Sequence, residues 1–275
     1  MSPHFVKMNG LGNDFVVVEA QDEAFSPTAE EARAIADRKA GIGCDQLIVL
    51  SASAGADVRM RIWNADGGEV ARCGNAERCV GWLVMQAAGA SRASIETAAG
   101  TLEARAAGER RVAIDMGPPG LDWRDIPLAE AMDTARIELQ VGPIDAPVLH
   151  TPGCVSLGNP HVVFFVEDAD AAPVVQVGPM IEHHRLFPQR ANVGFAQVKA
   201  RDRIRLRVWE RGAGLTRACG TGACAAVVAA HRRGLASRAA TVELDGGELH
   251  VEWRQADGHI VMTGPVAVEF TGVLP

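Results

Sequence analysis

The chain has 275 residues, of which 48% are apolar and 22% charged, a composition typical of a folded globular protein rather than a disordered one. The net charge of −7 gives no basic surface for nucleic acid, and five Trp and eight Phe leave few side chains to stack on bases. Without a long apolar run or a secretory signal pattern, the sequence predicts a cytoplasmic protein that contacts neither nucleic acid nor membrane.

The predicted elements alternate between strands and helices. A capping-box pattern at Thr28 and Glu31 begins a helix over residues 29–40, which Gly41 ends. Two further helices, at residues 74–88 and 220–231, are apolar or small on every side, as buried helices are. Alternating or continuous apolar runs predict strands at residues 46–52, 58–63, 112–116, 162–166 and 204–209.

The sequence repeats itself at an offset of 146 residues. The pairs that share this offset are Asn13 and Asn159, Gln46 and Asn192, Trp63 and Trp209, Cys73 and Cys219, Gly74 and Gly220, and Met116 and Met262. Because rare residue types match in the same order, we interpret the pattern as a duplicated α/β unit rather than chance. Two copies are too few and too long for a solenoid.

This duplication predicts an α/β fold with mixed sheets in two pseudo-symmetric domains. The turn at residues 117–120 separates residues 1–117, joined by the tail 264–275, from residues 118–263. Each domain would be a curved or barrel-like sheet around a central buried helix. The active site is expected in the cleft between the domains.

Two of the six cysteines stand out. Cys73, in the N-terminal half, and Cys219, in the C-terminal half, each precede a glycine at the start of an apolar helix. The free N–H groups and dipole of a helix start favour a thiolate, by about one pKa unit. With one thiol from each domain on opposite sides of a carbon, one could remove a proton and the other return one. This exchange inverts a stereocentre. The remaining cysteines are expected to be reduced, buried packing residues: Cys44, Cys79, Cys154 and Cys224.

Zinc is the alternative role for the cysteines. Five residues separate Cys73 from Cys79, and four separate Cys219 from Cys224. Structural zinc sites space their cysteines about two to four residues apart and do not place one ligand deep in an apolar helix. We therefore expect no metal.

Glu210 and Arg211 follow a predicted strand, and Asn64 stands at the position of Glu210 in the first copy. A glutamate can bind an ammonium group and an arginine a carboxylate, so the pair suits an amino-acid substrate. The alternative is an exposed ion pair. His161 could tune a nearby pKa or be purely structural.

Six segments resemble, in order and along nearly the whole chain, the signature sequences of the diaminopimelate epimerase family: MNGLGNDFVVV, GIGCDQL, NADGGEVARCGN, SLGNPHVVFFV, RANVGF and WERGAGLTRACGTGACAA. The resemblance implies an isomerase that needs no pyridoxal, metal or other cofactor. It would interconvert LL- and meso-2,6-diaminoheptanedioate in lysine and peptidoglycan precursor biosynthesis.

The same resemblance implies a role for each matching residue. Cys73 would donate the proton and Cys219 accept it in the LL-to-meso direction, with the roles exchanged in reverse. His161 and Glu210 would modulate the thiol pKa values, and Phe270 would lie at a homodimer interface. The residues implied to bind substrate are Asn13, Gln46, Asn64, Gly74, Asn75, Asn159, Asn192, Glu210, Arg211, Gly220 and Thr221.

The chain departs from the family pattern at Ala76 and Glu77, which replace the usual Gly-Ala after Asn75. If the usual glycine has a positive φ, substrate packing near Cys73 would change. Two other functions fit the same residues. One is another cofactor-independent enzyme of this duplicated fold, such as a proline racemase, a hydroxyproline epimerase or a phenazine-type isomerase. The other is a non-catalytic amino-acid-binding or thiol redox module.

Overall fold

A computed structural model describes residues 3–20 and 25–274 of the chain. The chain divides into two compact units, Met1–Asp115 with Thr263–Pro275, and Met116–Met262. Both units combine parallel and antiparallel strands with two helices, which confirms the predicted mixed α/β class. Within the described ranges, each helix is too short or too polar to span a bilayer.

The described residues of the first unit form one sheet with two helices. Its elements are β1 (His4–Gly10), β2 (Asn13–Glu19), α1 (Ala29–Ala36), β3 (Gln46–Ser51), β4 (Val58–Asn64), β5 (Glu69–Val70), α2 (Gly74–Ala88), β6 (Arg92–Thr97), β7 (Gly100–Ala106), β8 (Arg111–Asp115) and, from the tail, β19 (Ala267–Val273). Hydrogen-bonded neighbours follow the order β19-β1-β2-β3-β4-β6-β7-β8, with β2·β3 and β4·β6 parallel and the other pairs antiparallel. Strands from both halves of this order, β1 and β2 as well as β6, β7 and β8, contact α2, so the sheet curves around that helix.

The second unit has the same plan. Its elements are β9 (Gln140–Val141), β10 (Leu149–His150), β11 (Gly153–Ser156), β12 (Pro160–Phe165), α3 (Val174–Glu182), β13 (Asn192–Ala200), β14 (Arg203–Glu210), β15 (Gly214–Thr216), α4 (Gly220–Arg232), β16 (Ala239–Leu244), β17 (Gly247–Trp253) and the start of β18 (Ile260–Pro265). The sheet order is β11-β12-β13-β14-β16-β17, with β12·β13 and β14·β16 parallel. All six strands contact α4.

Strand register repeats between the units at the offset found in the sequence. Phe15 pairs with Gln46 across β2 and β3, and the equivalent His161 pairs with Asn192 across β12 and β13. Because register sets which face each side chain occupies, equivalent residues of the two units occupy equivalent places.

Close packing around the central helices depends on small residues. In α4 the residues from Gly222 to Ala230 are all buried. In α2, a Cβ added to Gly81 would lie 2.5 Å from the Cβ of Ala104 on β7, so only glycine allows this approach of helix and sheet.

Two helices differ from expectation. α1 ends at Ala36 rather than at residue 40, because the Asp37 carboxylate accepts the N–H groups of Lys39 and Ala40 and folds them into a turn. α3 was not predicted, since its valines favour a strand and Pro179 lies inside it. Tertiary packing decides this case: Val174, Val177 and Ile181 follow a helical spacing and all enter the core of the second unit.

Candidate active site

Cys73 lies at the start of the central helix of the first unit. It is the N-cap residue of α2, with extended backbone (φ −151°, ψ 110°), and its side chain is half-buried. The side-chain amide of Asn75, in the first turn, donates to Asn13 Oδ1 at 2.8 Å. Asn13 in turn donates to Asp45 Oδ2 at 2.9 Å. The side chains of Asn13 and Asn75, both predicted to bind substrate, are therefore hydrogen-bonded to each other, and the Asp45 carboxylate fixes Asn13.

Gln46 and Asn64 form a cross-strand pair on β3 and β4. Gln46 Nε2 donates to Asn64 Oδ1 at 2.9 Å. Within residues 3–20 and 25–274, Gln46 Oε1 is buried and has no protein hydrogen-bond partner. A buried carbonyl oxygen in this condition can accept a hydrogen bond from a ligand N–H group.

A network of ion pairs next to Asn13 was not predicted from the sequence. Lys7, only 3% exposed, donates to Asp14 at 2.6 Å, and Arg38 bridges Asp14 and Asp45 with bonds of 2.7–2.9 Å. Burial would raise the pKa of Asp14, but the hydrogen bonds from Arg38 and Lys7 outweigh it and hold that pKa well below its usual range. Lys7, between the apolar residues Val6 and Met8, is a signal in the sequence, but only the fold shows its partners.

Ala76 occupies the third position of α2 and is fully buried within the helix, outside the residues of positive φ. A glycine is therefore not required there. Glu77 is also fully buried; its carboxylate accepts from Arg72 Nε at 2.9 Å and from the backbone N–H of Cys73. Burial raises the pKa of Glu77, and the charge and hydrogen bond of Arg72 offset part of that rise.

Cys219 lies at the equivalent start of α4 and is 4% exposed. Its Sγ accepts the N–H of Gly222 at 3.3 Å, so the sulfur itself caps the helix. A Cβ at Gly222 would lie 3.1 Å from this sulfur, which explains the glycine. Asn159 Nδ2 donates to Thr221 Oγ1 at 3.4 Å, the counterpart of the bond between Asn75 and Asn13.

Glu210 is the charged neighbour of Cys219. Its carboxylate accepts a hydrogen bond from the Thr216 hydroxyl, and the Cys219 thiol lies beside it. Burial raises the pKa of Glu210, and the Thr216 hydroxyl, followed by the Cys219 thiol, offsets part of the rise. Burial also raises the pKa of Cys219 well above its ordinary value, and the charge of Glu210 adds to this. The expectation of a lowered pKa at this helix start is therefore wrong for Cys219, because desolvation outweighs the helix N–H groups.

His161 is 1% exposed, and its Nε2 lies 3.0 Å from Asn159 Oδ1. It therefore connects to Cys219 through Asn159 and Thr221. Burial, followed by the positive charge of Arg211, lowers the pKa of His161 to about 3. The imidazole is neutral at physiological pH and orients the asparagine.

The connection between β14 and β15 presents Glu210 and Arg211. Asn192 Oδ1 accepts the backbone N–H of Arg211 at 2.9 Å, so this amide holds the hairpin by its main chain. The Arg211 guanidinium donates to the carbonyl of Gln189 at 2.9 Å. Glu210 and Arg211 thus bond to different groups rather than forming an exposed ion pair with each other.

Phe270 lies on β19 and is 49% exposed, with its ring edge-to-face against Phe5 at 5.9 Å between centroids. The four cysteines outside the helix starts are buried.

The family model of diaminopimelate epimerase matches residues 5–121 and, a second time, residues 153–269. The chain belongs to the diaminopimelate epimerase family.

Relatives of high identity extend over the full length. The diaminopimelate epimerase of Phenylobacterium zucineum is 65% identical over 100% of this chain and 99% of its own length. The diaminopimelate epimerases of Caulobacter vibrioides and Rhodospirillum centenum are 58% and 54% identical, covering 100% of this chain and 98% and 93% of their own lengths.

Solved structures of low identity share the fold. A predicted epimerase from Pseudomonas aeruginosa superposes with a TM-score of 0.70 at 17% identity, covering 100% of this chain and 99% of that one. A hydroxyproline epimerase from Agrobacterium vitis gives 0.69 at 15% identity, covering 100% and 94%. A phenazine biosynthesis protein from Bacillus anthracis gives 0.68 at 14% identity, covering 100% and 99%.

Proposed function

We propose that this member of the family interconverts LL- and meso-2,6-diaminoheptanedioate by two-base proton transfer, with Cys73 and Cys219 as the bases. The observation that carries the proposal is the repeated helix start. In each unit a cysteine is the N-cap residue of the central helix, and the side chain two residues later is hydrogen-bonded to an asparagine at the turn of an earlier hairpin of the same unit.

In the LL-to-meso direction, Cys219 as thiolate removes the α-proton and Cys73 as thiol returns a proton to the opposite face. After this turnover Cys219 is a thiol and Cys73 a thiolate, which are the protonation states that the reverse direction needs. The N–H groups of the first helix turns stabilise the carboxylate as charge develops at the α-carbon.

Cys219 must lose its proton before it can act as the base. Burial of the sulfur, followed by the negative charge of Glu210, favours the thiol. An α-ammonium group bound near Glu210 and Cys219 places a positive charge beside both and lowers the pKa of the thiol. Substrate binding and activation of the base are thereby coupled.

Substrate recognition is assigned to the polar groups around the helix starts. Arg211 suits a carboxylate and Glu210 an ammonium group. Asn13, Gln46, Asn64, Asn159 and Asn192, with Gly74, Asn75, Gly220 and Thr221, complete the proposed binding set. Gln46 Oε1, which accepts no hydrogen bond from the described part of the chain, fits an N–H group of the ligand.

We further propose a cytoplasmic homodimer with Phe270 at its interface. The half-exposed ring of Phe270 supports this role. Sedimentation of the wild type and of Phe270→Ala is the direct test: a variant that stays a dimer contradicts the assignment.

Proton exchange in deuterated water tests the two-base reaction. The wild type should convert LL-diaminopimelate to the meso form with incorporation of solvent deuterium at the α-carbon. Cys73→Ala should not epimerise, yet should still exchange the α-proton of the LL isomer, because Cys219 can remove it and return deuterium to the same face. Cys219→Ala should not exchange the LL isomer at all. Cys154→Ala, a buried cysteine away from both helix starts, is the matched control.

Two results would overturn the scheme. Substantial epimerisation by either single variant would show that two thiols are not required. Equal turnover of L-proline or trans-4-hydroxy-L-proline by the wild type would overturn the choice of substrate.

A further inference from the structure

Glu182 is the last residue of α3 and is 3% exposed. Each of its carboxylate oxygens serves a different donor. Oε2 accepts the indole N–H of Trp209 at 2.7 Å, and Oε1 accepts the backbone N–H of Gly212 at 3.0 Å. The guanidinium of Arg190, itself more than half exposed, lies 3.9 Å away. A buried carboxylate with two N–H donors makes strong, directional hydrogen bonds.

The two donors flank the pair Glu210 and Arg211 in sequence. Three successive backbone amides are fixed at this hairpin: Arg211 donates to Asn192, Gly212 to Glu182, and Ala213 to the carbonyl of Glu210. Glu182 and Asn192, both outside the hairpin, are thus described side chains that set the path of its main chain.

Packing brings α3 close enough for this contact. Gly178, one turn before Glu182, lies against Trp209, where an added Cβ would be 2.4 Å from the indole Cγ. Trp209 Nε1 therefore reaches Glu182 only because residue 178 has no side chain.

The other unit lacks this carboxylate. α1, the equivalent of α3, ends at Ala36, which stands 146 residues before Glu182. The equivalent turn is held instead by Arg33, which donates to the carbonyl of Asp66 at 3.2 Å. That turn follows the neutral Asn64. The carboxylate contact is present in the unit whose hairpin carries the charged pair.

We propose that Glu182 is a positioning residue that holds Glu210 and Arg211 in the geometry needed to bind substrate. The kinetic part of this inference rests on the proposed function, because contact of Glu210 and Arg211 with the substrate is itself part of that proposal. The structural part, control of the hairpin, stands on the hydrogen bonds alone.

The test compares Glu182→Gln with Met180→Ala, a change on the exposed face of the same helix. A glutamine can accept from one donor but turns its own NH₂ group toward the other. Hydrogen–deuterium exchange of the peptide covering residues 209–214 should be about tenfold faster in E182Q, with exchange of β16 and β17 unchanged. M180A should match the wild type.

Kinetics on LL-diaminopimelate give the second readout. E182Q should lower kcat/KM about tenfold, mainly through KM. A double-mutant cycle with Arg211→Lys should be strongly non-additive, since both changes act through the same guanidinium. Trp209→Phe removes only one donor to Glu182 and should give a smaller effect in the same direction, which keeps the test valid if E182Q folds poorly.

The outcomes separate the two proposals. An inactive wild type refutes the proposed function, and hairpin exchange still decides whether Glu182 controls the hairpin. Unchanged exchange in E182Q, or faster exchange with unchanged kcat/KM, overturns the role of Glu182. Additive effects of E182Q and R211K overturn it as well, because a general loss of stability would not couple to one guanidinium.

Discussion

The neutral, buried His161 gives a pH dependence that can be calculated. Its pKa falls from an ordinary value of 6.5 to about 3 on folding. Between these values the unfolded chain binds a proton that the folded chain does not, so folding stability decreases as the pH falls. The slope is about 1.4 kcal/mol per pH unit.

At pH 5 the expected loss is about 2 kcal/mol relative to pH 8, because pH 5 lies about 1.5 units below the ordinary pKa. His161→Gln keeps an N–H donor for Asn159 but takes up no proton. The variant will differ from the wild type at every pH through packing, but it should lose about 2 kcal/mol less between pH 8 and pH 5.

Urea unfolding at the two pH values, followed by tryptophan fluorescence, measures this difference. His250→Gln, an exposed histidine on β17, is the matched control and should follow the wild type. Direct titration of the His161 ring by NMR should show no protonation above pH 5. If H161Q and the wild type lose the same stability between the two pH values, burial does not hold this ring neutral.

Three further predictions concern other described residues. Ala76→Gly should destabilise the protein by about 1 kcal/mol, measured by urea unfolding, because the site is helical and needs no glycine; a more stable variant would contradict the helical assignment. Glu77→Gln tests a carboxyl whose pKa burial raises. Since the folded wild type then holds its proton more tightly than the unfolded chain, the wild type should lose stability relative to E77Q as the pH rises above 4.5, and parallel pH curves would refute this. Arg211→Lys should raise KM for LL-diaminopimelate more than it lowers kcat, since lysine loses bidentate binding of a carboxylate; an unchanged KM in steady-state assays would remove Arg211 from the binding set.

The sequence was a good guide wherever local pattern and repeat agreed. The helix α2 (Gly74–Ala88) matches its predicted bounds, and the helix α4 ends one residue later than expected, at Arg232. The 146-residue offset also identified Gln46 and Asn192, which share a register position in their sheets. Such matches depend on the spacing of residues along the chain, which the sequence displays directly.

The sequence does not show which of two opposing physical effects is larger, such as stabilisation of a thiolate at a helix start against the cost of burying it. The helix start predicted a lowered pKa at Cys219, and only the burial of that sulfur beside Glu210 reverses the direction. α3 was missed because its packing, not its propensity, makes it a helix. Glu182 lay at the end of this unrecognised element, so its contacts with Trp209 and Gly212 had no sequence signal.

Because strand register persists between the two units while the residues at equivalent helix ends differ, as at Ala36 and Glu182, each unit serves as a reference for mutagenesis of the other. A change at a position within one copy of the repeat can be made again 146 residues away, where the strand register matches and the neighbouring side chains differ. The changes Ala36→Glu and Glu182→Ala, made separately, would show within a single polypeptide how far the two copies of the duplicated unit have diverged in function.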